Sequence, residues 1–411
     1  MKLRYIITAV KRFGIRGIIN YLLQKPKEYA FQRYLKSTMR EDSPKYGITL
    51  VANFNQSTSL SKVMRDFALM LKYAGIPYQT LNLTSKDSIP EQGTKFFMTP
   101  KSEFSINKYS HIITMKYPLQ SPDNRCSVYC TEFWEFEDGF VESCPEIFNT
   151  KRILALSNFN RDTFRRLLPQ SVEVSKLQYP FQFTHKELSP VKLIRNKYGI
   201  STEDFVLFFN FDYGSSYFRK NPEGILTAFA KTLGDKTDTK IIFKTMRAKK
   251  CKIMSERLHA LAEKLGLARK LITIDDYIPQ EDLVNLTNAC DVYISLHRGE
   301  GFGLGIAEAM SLGKPVIVTN YSSTTEFCKS NNSIPIPYKI VKIRPDQIDH
   351  DAYRYVTMWA EPDYDAAAKA LLILYENPKL RESIGNAAKA FINEYFSLEN
   401  FKQSVDSLIG Q

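Results

Sequence analysis

Short apolar runs and helical stretches alternate along nearly the whole chain, and this limits the possible folds more than any other feature. Strands are predicted at Gly47–Asn53, Tyr78–Leu83, His111–Met115, Cys126–Glu132, Arg152–Leu156, Val206–Phe211, Lys240–Thr245, Leu271–Ile274, Asp291–Leu296 and Pro315–Thr319. Helical spacing appears in Val63, Phe67, Met70 and Leu71, ending near Gly75 with Pro77 beyond. It returns in Asn160–Leu168, Pro222–Leu233, Ser255–Leu265, Glu281–Asn288 and Gly305–Leu312. Strands separated by helices imply parallel sheets with helices on both faces. The strands outnumber what one six-stranded sheet needs. At 411 residues the chain is long enough for two such sheets. The polar stretch 183–200 is the predicted hinge between them. The C-terminal residues Asn393 to Leu408 read as one helix.

The formal charge of +12 is concentrated at one end. Residues 1–40 hold ten Lys and Arg against Glu28 alone, a local +9, which leaves +3 for all the rest. Leu3, Ile6, Ile7, Val10 and Phe13 share a helical face, opposite Arg4, Lys11, Arg12 and Arg16. A basic amphipathic arm of this kind suits an anionic membrane surface, through residues 1–36. The other reading is that its apolar face packs on the protein's own body. No nucleic-acid motif accompanies the charge, so nucleic acid is not an expected partner. Six cysteines in a chain this long are too few for a disulfide framework, and no CxxC occurs. Reduced thiols in a cytoplasmic protein, peripheral on the inner membrane face, are the expectation.

In open parallel sheets, ligands bind at the carboxyl ends of strands. The loop after Asp291–Leu296 carries Gly299, Gly301, Gly303 and Gly305 ahead of a helix starting near Leu304. Such a turn lets backbone N–H groups approach an anion, and the helix N-terminus adds its dipole. Glu300 precedes the turn, and Glu308 lies about one helical turn in. A carboxylate there is placed to accept two hydrogen bonds from a ribose diol. The bland alternative for Glu308 is a solvated helix surface. His297 lies beside the loop and is a candidate contact to a sugar or phosphate. In a second loop, Arg219 and Lys220 stand before a helix that begins near Pro222, where proline fits the first turn. Two cations there suit a diphosphate; the alternative is ordinary surface charge. Lys244, at the end of the next strand, is a weaker third cation.

Residues 300–317 resemble the carboxylate-pair motif of the retaining glycosyltransferases of family 4, E-G-F-G-x-x-x-x-E-A-M-x-x-G-x-P-V-I. Glu300, Gly301, Phe302, Gly303, Glu308, Ala309, Met310, Gly313, Pro315, Val316 and Ile317 all match. The resemblance implies the GT-B fold, an α/β architecture of two Rossmann-like doubly wound domains facing a cleft. The domains expected are a basic arm 1–44, an acceptor-side domain 45–190, a donor-side domain 191–385 and a C-terminal helix 386–411 crossing back. The resemblance also implies that Glu300 contacts the donor sugar and that Glu308 holds the nucleotide ribose. The stretch Asn320–Phe327, with Thr324, resembles the family's loop of backbone donors to phosphate. The Arg219-Lys-Asn-Pro222 run resembles a subgroup stretch that stabilises the leaving diphosphate. The commoner pattern has its arginine near Asp212–Tyr213, where this chain has none.

Trp134 and Glu135 match the subgroup's W-E segment, which lines the cleft; the alternative places Trp134 in the core. Relatives carry glycines in the first loop, where this chain has Ser57 and Ser59, so hydroxyls stand in as candidate acceptor-side donors. Ser157 and Phe159 read as helix capping and packing. Trp359–Asp365 resembles a subgroup turn. No Asp-x-Asp lies at a strand end near the motif, and no metal or cofactor is expected beyond the nucleotide diphosphate sugar as co-substrate. The function implied is retaining, metal-independent transfer of a sugar to a saccharide acceptor, lipid-linked, in cell-surface polysaccharide or glycolipid synthesis. Two other readings stay open: a non-catalytic sugar-nucleotide-binding subunit partnering an active transferase, and a phosphorylase or epimerase on the same fold.

Overall fold

The computed structural model describes residues 29–56, 58–83, 99, 103–115, 123–144, 147, 150–181 and 187–410. The chain divides into two compact units. The first runs to Trp134, resumes at Phe140–Gln182 and ends with Phe396–Gln411; the second is Glu135–Gly139 with Phe183–Tyr395.

The first unit is built on a parallel six-stranded sheet of order β2-β1-β3-β4-β5-β6. Its strands are β1 (Lys45–Ala52), β2 (Tyr78–Asn82), β3 (Tyr109–Met115), β4 (Ser127–Thr131), β5 (Arg152–Ala155) and β6 (Glu173–Lys176). The interior of β1 is a buried β-branched and aliphatic run, as a strand covered on both faces requires. Helix Ser59–Tyr73 starts on a Thr58 cap and buries Val63, Phe67 and Leu71. Phe67 meets Phe401 of helix Leu398–Ile409 with ring centroids 6.0 Å apart. Residues 29–37 are helical, and Leu35 is buried among Val51, Ile106 and Ile112. That part of the expected arm therefore packs on the protein; residues 1–28 lie outside the described residues.

The second unit has a sheet of order β12-β11-β10-β7-β8-β9. The strands are β7 (Phe205–Asp212), β8 (Thr239–Met246), β9 (Leu271–Asp275), β10 (Val292–Ser295), β11 (Val316–Thr319) and β12 (Ile334–Ile336). All recorded pairs within it are parallel. An antiparallel pair, β13 (Tyr338–Lys342) and β14 (Met358–Pro362), stands beside it. The chain builds β7, β8 and β9 outward in one direction, then returns to place β10 on the other side of β7. The switch point is therefore the crevice between β7 and β10.

Several expectations change. The helix expected over Asn393–Leu408 is two helices, Pro378–Tyr395 and Leu398–Ile409, because Ser397 caps the second. The expected turn at Trp359–Asp365 begins as strand β14, and Asp363 caps the next helix. The polar stretch 183–200 contains a helix, Val191–Lys197. Its Arg195 is buried and donates to the carbonyls of Ala289, Thr202 and Asp204, each at 2.9 Å, and to Asp291 at 2.9 Å.

Candidate active site

Two loops meet at the β7–β10 switch point. The first leaves β7 through a 3-10 turn, Tyr213–Ser215, capped by the Asp212 carboxylate. A single helical turn, Tyr217–Lys220, follows, flanked by two non-glycine residues in the left-handed region, Ser216 (φ 68°) and Asn221 (φ 54°). Each such residue costs about 1–2 kcal/mol, so side-chain bonds must hold it. The Ser216 hydroxyl donates to Asp349 Oδ1 at 2.5 Å. The Asn221 amide donates to the Leu296 carbonyl at 2.8 Å and its oxygen caps helix Pro222–Leu233. Arg219 and Lys220 thus sit on a braced turn of their own, and not in the open loop the sequence suggested.

Arg219 is 2% exposed. Its Nη1 donates to the Gly299 carbonyl at 2.8 Å, and Nη2 donates to the Ser215 carbonyl at 2.8 Å and hydroxyl at 3.0 Å. Its Nε–H is buried with no hydrogen-bond partner among the described residues. Two carboxylates approach it, Glu300 at 3.6 Å and Glu135 at 3.9 Å. Lys220 Nζ donates to Glu300 Oε2 at 2.5 Å. Burial alone would raise the Glu300 carboxyl, but the Lys220 and Arg219 charges override it and hold the group at about 2. Burial pushes the Lys220 ammonium down. The result is a desolvated carboxylate clamped between two cations.

The second loop shows why its glycines are there. A Cβ on Gly299 would come within 2.7 Å of the Glu135 carbonyl, and one on Gly303, at φ 94°, within 2.6 Å of Thr324 Cγ2. Gly303 then starts helix Leu304–Ser311. Glu308 lies one turn in, partly exposed, and accepts from Gln280 Nε2 at 3.1 Å. Phe302 is buried against Phe327, and Leu304 is partly exposed. Main-chain Glu300 is tied to the next loop: its N–H donates to the Ser322 hydroxyl at 2.9 Å.

Other sequence candidates are placed differently. His297 is fully buried; its Nε2–H donates to the Tyr321 carbonyl and its Nδ1 accepts from the Ser295 hydroxyl, both at 3.2 Å. A carbonyl can only accept, which sets this tautomer. Burial lowers His297 to about 4. With both nitrogens committed, it ties β10 to the following loop instead of presenting a nitrogen to a ligand. Thr324 is expected to act through its main chain; its side-chain hydroxyl donates to the Tyr321 carbonyl at 3.1 Å. Lys244 is buried and donates to the Thr245 carbonyl at 2.7 Å, so it is turned back onto its own strand. In the first unit, Ser59 opens its helix, exposed, while Ser57 lies outside the described residues. Trp134 is 3% exposed, edge-on to Phe140, with its carbonyl taking the Asn160 amide at 2.5 Å. That is the core placement, which leaves no open ring face for a sugar. Ser157 caps the next helix as expected.

Sequence reasoning passed over Arg298, Tyr353 and Asp349. Arg298 is 8% exposed and reaches Glu361 at 2.6 and 2.9 Å and the Phe218 carbonyl at 2.6 Å, bracing the cation-bearing turn from behind. The Tyr353 ring lies 5.6 Å from the Arg219 guanidinium. Arg298 had a signal, a cation inside a glycine loop. Tyr353 and Asp349 had none, because they arrive from more than 130 residues away.

Two doubly wound parallel six-stranded sheets, one bearing a carboxylate–cation constellation at its switch point, define the GT-B glycosyltransferase fold. A crystal structure of Anabaena Alr3699/HepE in complex with UDP and glucose matches at TM-score 0.61 and 14% identity, over 89% of this chain and 100% of that one. WaaG, a glycosyltransferase involved in lipopolysaccharide biosynthesis, matches at TM-score 0.57 and 13% identity, over 88% of this chain and 99% of that one. Residues 191–391 match the family described as Glycosyl transferases group 1, and this half of the chain is a domain of that family. The chain is also similar to the O-antigen chain mannosyltransferase B of Escherichia coli, 25% identical over 57% of this chain. That match spans 58% of the relative's length.

Proposed function

We propose that the chain is a retaining glycosyltransferase that moves a sugar from a nucleotide diphosphate sugar to a saccharide acceptor in cell-surface polysaccharide or glycolipid synthesis. The observation that carries this reading is Glu300 held between Lys220 and Arg219 at the switch point, with Glu308 one turn into the helix that follows. The two cations are positioned to take the charge that builds on a leaving diphosphate, and the unpartnered Arg219 Nε–H is a spare donor for it. Glu300 orients the sugar and Glu308 the ribose. The chain needs no protein nucleophile for this; front-face attack, aided by the departing phosphate, preserves the anomer. Because the E. coli relative is a mannosyltransferase, mannosyl donors are the first to test. The acceptor we propose is lipid-linked, with the basic residues ahead of the packed helix, 1–28, bringing the site to an anionic membrane surface, and the transfer needs no metal.

The test is a transfer assay with GDP-mannose and other sugar nucleotides, product anomer assigned by NMR, with and without EDTA. Expected are turnover with one donor, an unchanged anomeric configuration, and no loss in EDTA. An inverted anomer would sink the retaining reading. Donor binding without hydrolysis or transfer to any acceptor would favour the non-catalytic subunit.

A further inference from the structure

Behind the cation-bearing turn the second unit holds a separate cavity of about 550 Å³. That is within the range of small-ligand sites, about 300–1,000 Å³. Phe218, one residue before Arg219, lines it on one side and Trp359 of β14 on another. Charged groups complete the lining: Glu223 and Arg257 from two helices, Lys342 and Arg344 at the end of β13.

The charges are not balanced once internal bonds are subtracted. Glu223 already accepts from the Tyr217 hydroxyl at 2.9 Å and from Arg257. Glu361, also in the lining, accepts twice from Arg298 and again from the Tyr364 hydroxyl. The carboxylates are therefore spent. They hold Arg257 and Arg298, which leaves two lining cations, Lys342 and Arg344. The Lys342 side chain is exposed and has no hydrogen bond or ion pair among the described residues. Arg344 is 64% exposed, and its ion pair among the described residues is with the equally exposed Asp346 at 3.2 Å. What remains for a ligand is donor capacity and positive charge, beside the edges of two aromatic rings. Trp359 is 2% exposed and covered by the Arg298 guanidinium at 4.8 Å, so no broad face is free for a nucleobase to stack on.

We propose that this cavity is a second binding site, distinct from the donor site, for an anionic sugar: a hexose bearing a phosphate or a carboxylate. Lys342 and Arg344 take the anion, and the ring edges of Phe218 and Trp359 take the pyranose. Its wall is continuous with the donor machinery, since Arg298 donates to the Phe218 carbonyl and its N–H to the Arg219 carbonyl at 2.8 Å.

Trp359 is one of only two tryptophans, so the Trp134→Phe variant isolates its fluorescence. The full chain carrying that change is titrated to about 20 mM with glucose 6-phosphate, glucuronate, glucose and inorganic phosphate, a range that detects even weak sites. Saturable change with the two charged sugars, weakened about ten-fold or more in Lys342→Ala/Arg344→Ala, is the expected result. Calorimetry on the chain with both tryptophans, against the same double variant, repeats the comparison should Trp134→Phe fail to fold. No response, an equal response in the double variant, or equal binding of glucose or of phosphate alone would each overturn the proposal. The readout is binding in the absence of any nucleotide sugar, so its failure leaves the transferase reading untouched.

Discussion

Arg219 Nη1 donates to the main-chain carbonyl of Gly299 over 2.8 Å, joining loops 80 residues apart in sequence. The guanidinium that faces the proposed diphosphate site therefore also shapes the glycine loop that holds Glu300. A side chain with both tasks cannot be replaced by charge alone.

Arg219→Ala is expected to lower kcat/KM by about 10²–10³, the usual loss for one transition-state charge contact. Arg219→Lys should recover little of it, because an ammonium cannot reach Gly299 and Ser215 together. Steady-state transfer kinetics on both variants, with circular dichroism to confirm folding, give the comparison. A lysine variant with near-normal rate would show that charge suffices.

Acid should weaken the fold in two windows. His297 is held at about 4 against a usual 6.5, so the folded state binds its proton less readily than the unfolded chain. Its contribution is complete above pH 6.5 and is lost as pH falls toward 4, on the order of 3 kcal/mol. Glu300, held at about 2 against 4.5, contributes above pH 4.5 and loses that contribution as pH falls toward 2. Urea unfolding of the parent and His297→Gln across pH 4–7 should show the upper slope flattened in the variant.

Arg195→Met should destabilise the second unit by about 3–5 kcal/mol, because it leaves the Asp291 carboxylate without its partner next to β7 and β10. The same change with Asp291→Asn should restore part of the loss. Denaturant midpoints for the single and double variants measure the coupling.

Gly385→Ala tests a close helix crossing. Alanine is the better helix former by about 1 kcal/mol, yet its Cβ would lie 2.0 Å from the Gly313 carbonyl oxygen. Backbone cannot yield as a flexible side chain would, so overpacking of about 1–3 kcal/mol should win. A raised melting temperature would show that helix Pro378–Tyr395 shifts freely.

The strand and helix alternation was legible because buried parallel strands carry unbroken apolar runs, as Val206–Phe209 and Val316–Val318 do. Helix Pro222–Leu233 was readable to the residue from its proline start. Strands β6 and β12 were not. β6 buries only Val174, and β12 has Pro335 at its centre, so neither has the composition of an inner strand. Within the site, the order Glu300, glycines, Glu308 was visible because it is local. What could not be read was how Arg219 is turned: its bonds to Gly299 and Ser215, and the bracing of its turn by Asp349, depend on long-range packing. His297 misled for the same reason, since nothing in its neighbours reveals that its Nε2–H donates to the Tyr321 carbonyl.

The five residues Glu135–Gly139 belong to the second unit although their sequence neighbours on both sides belong to the first. The Glu135 carbonyl lies against Gly299, Phe136 meets the Tyr353 ring at 5.0 Å, and Asp138 accepts the Thr357 N–H at 3.0 Å. A hybrid chain spliced near residue 183 would thus give its second unit a foreign peptide at the rear of the glycine loop. Exchanging halves between relatives requires carrying this short insert along with the C-terminal portion, or the graft arrives with its own loop unsupported.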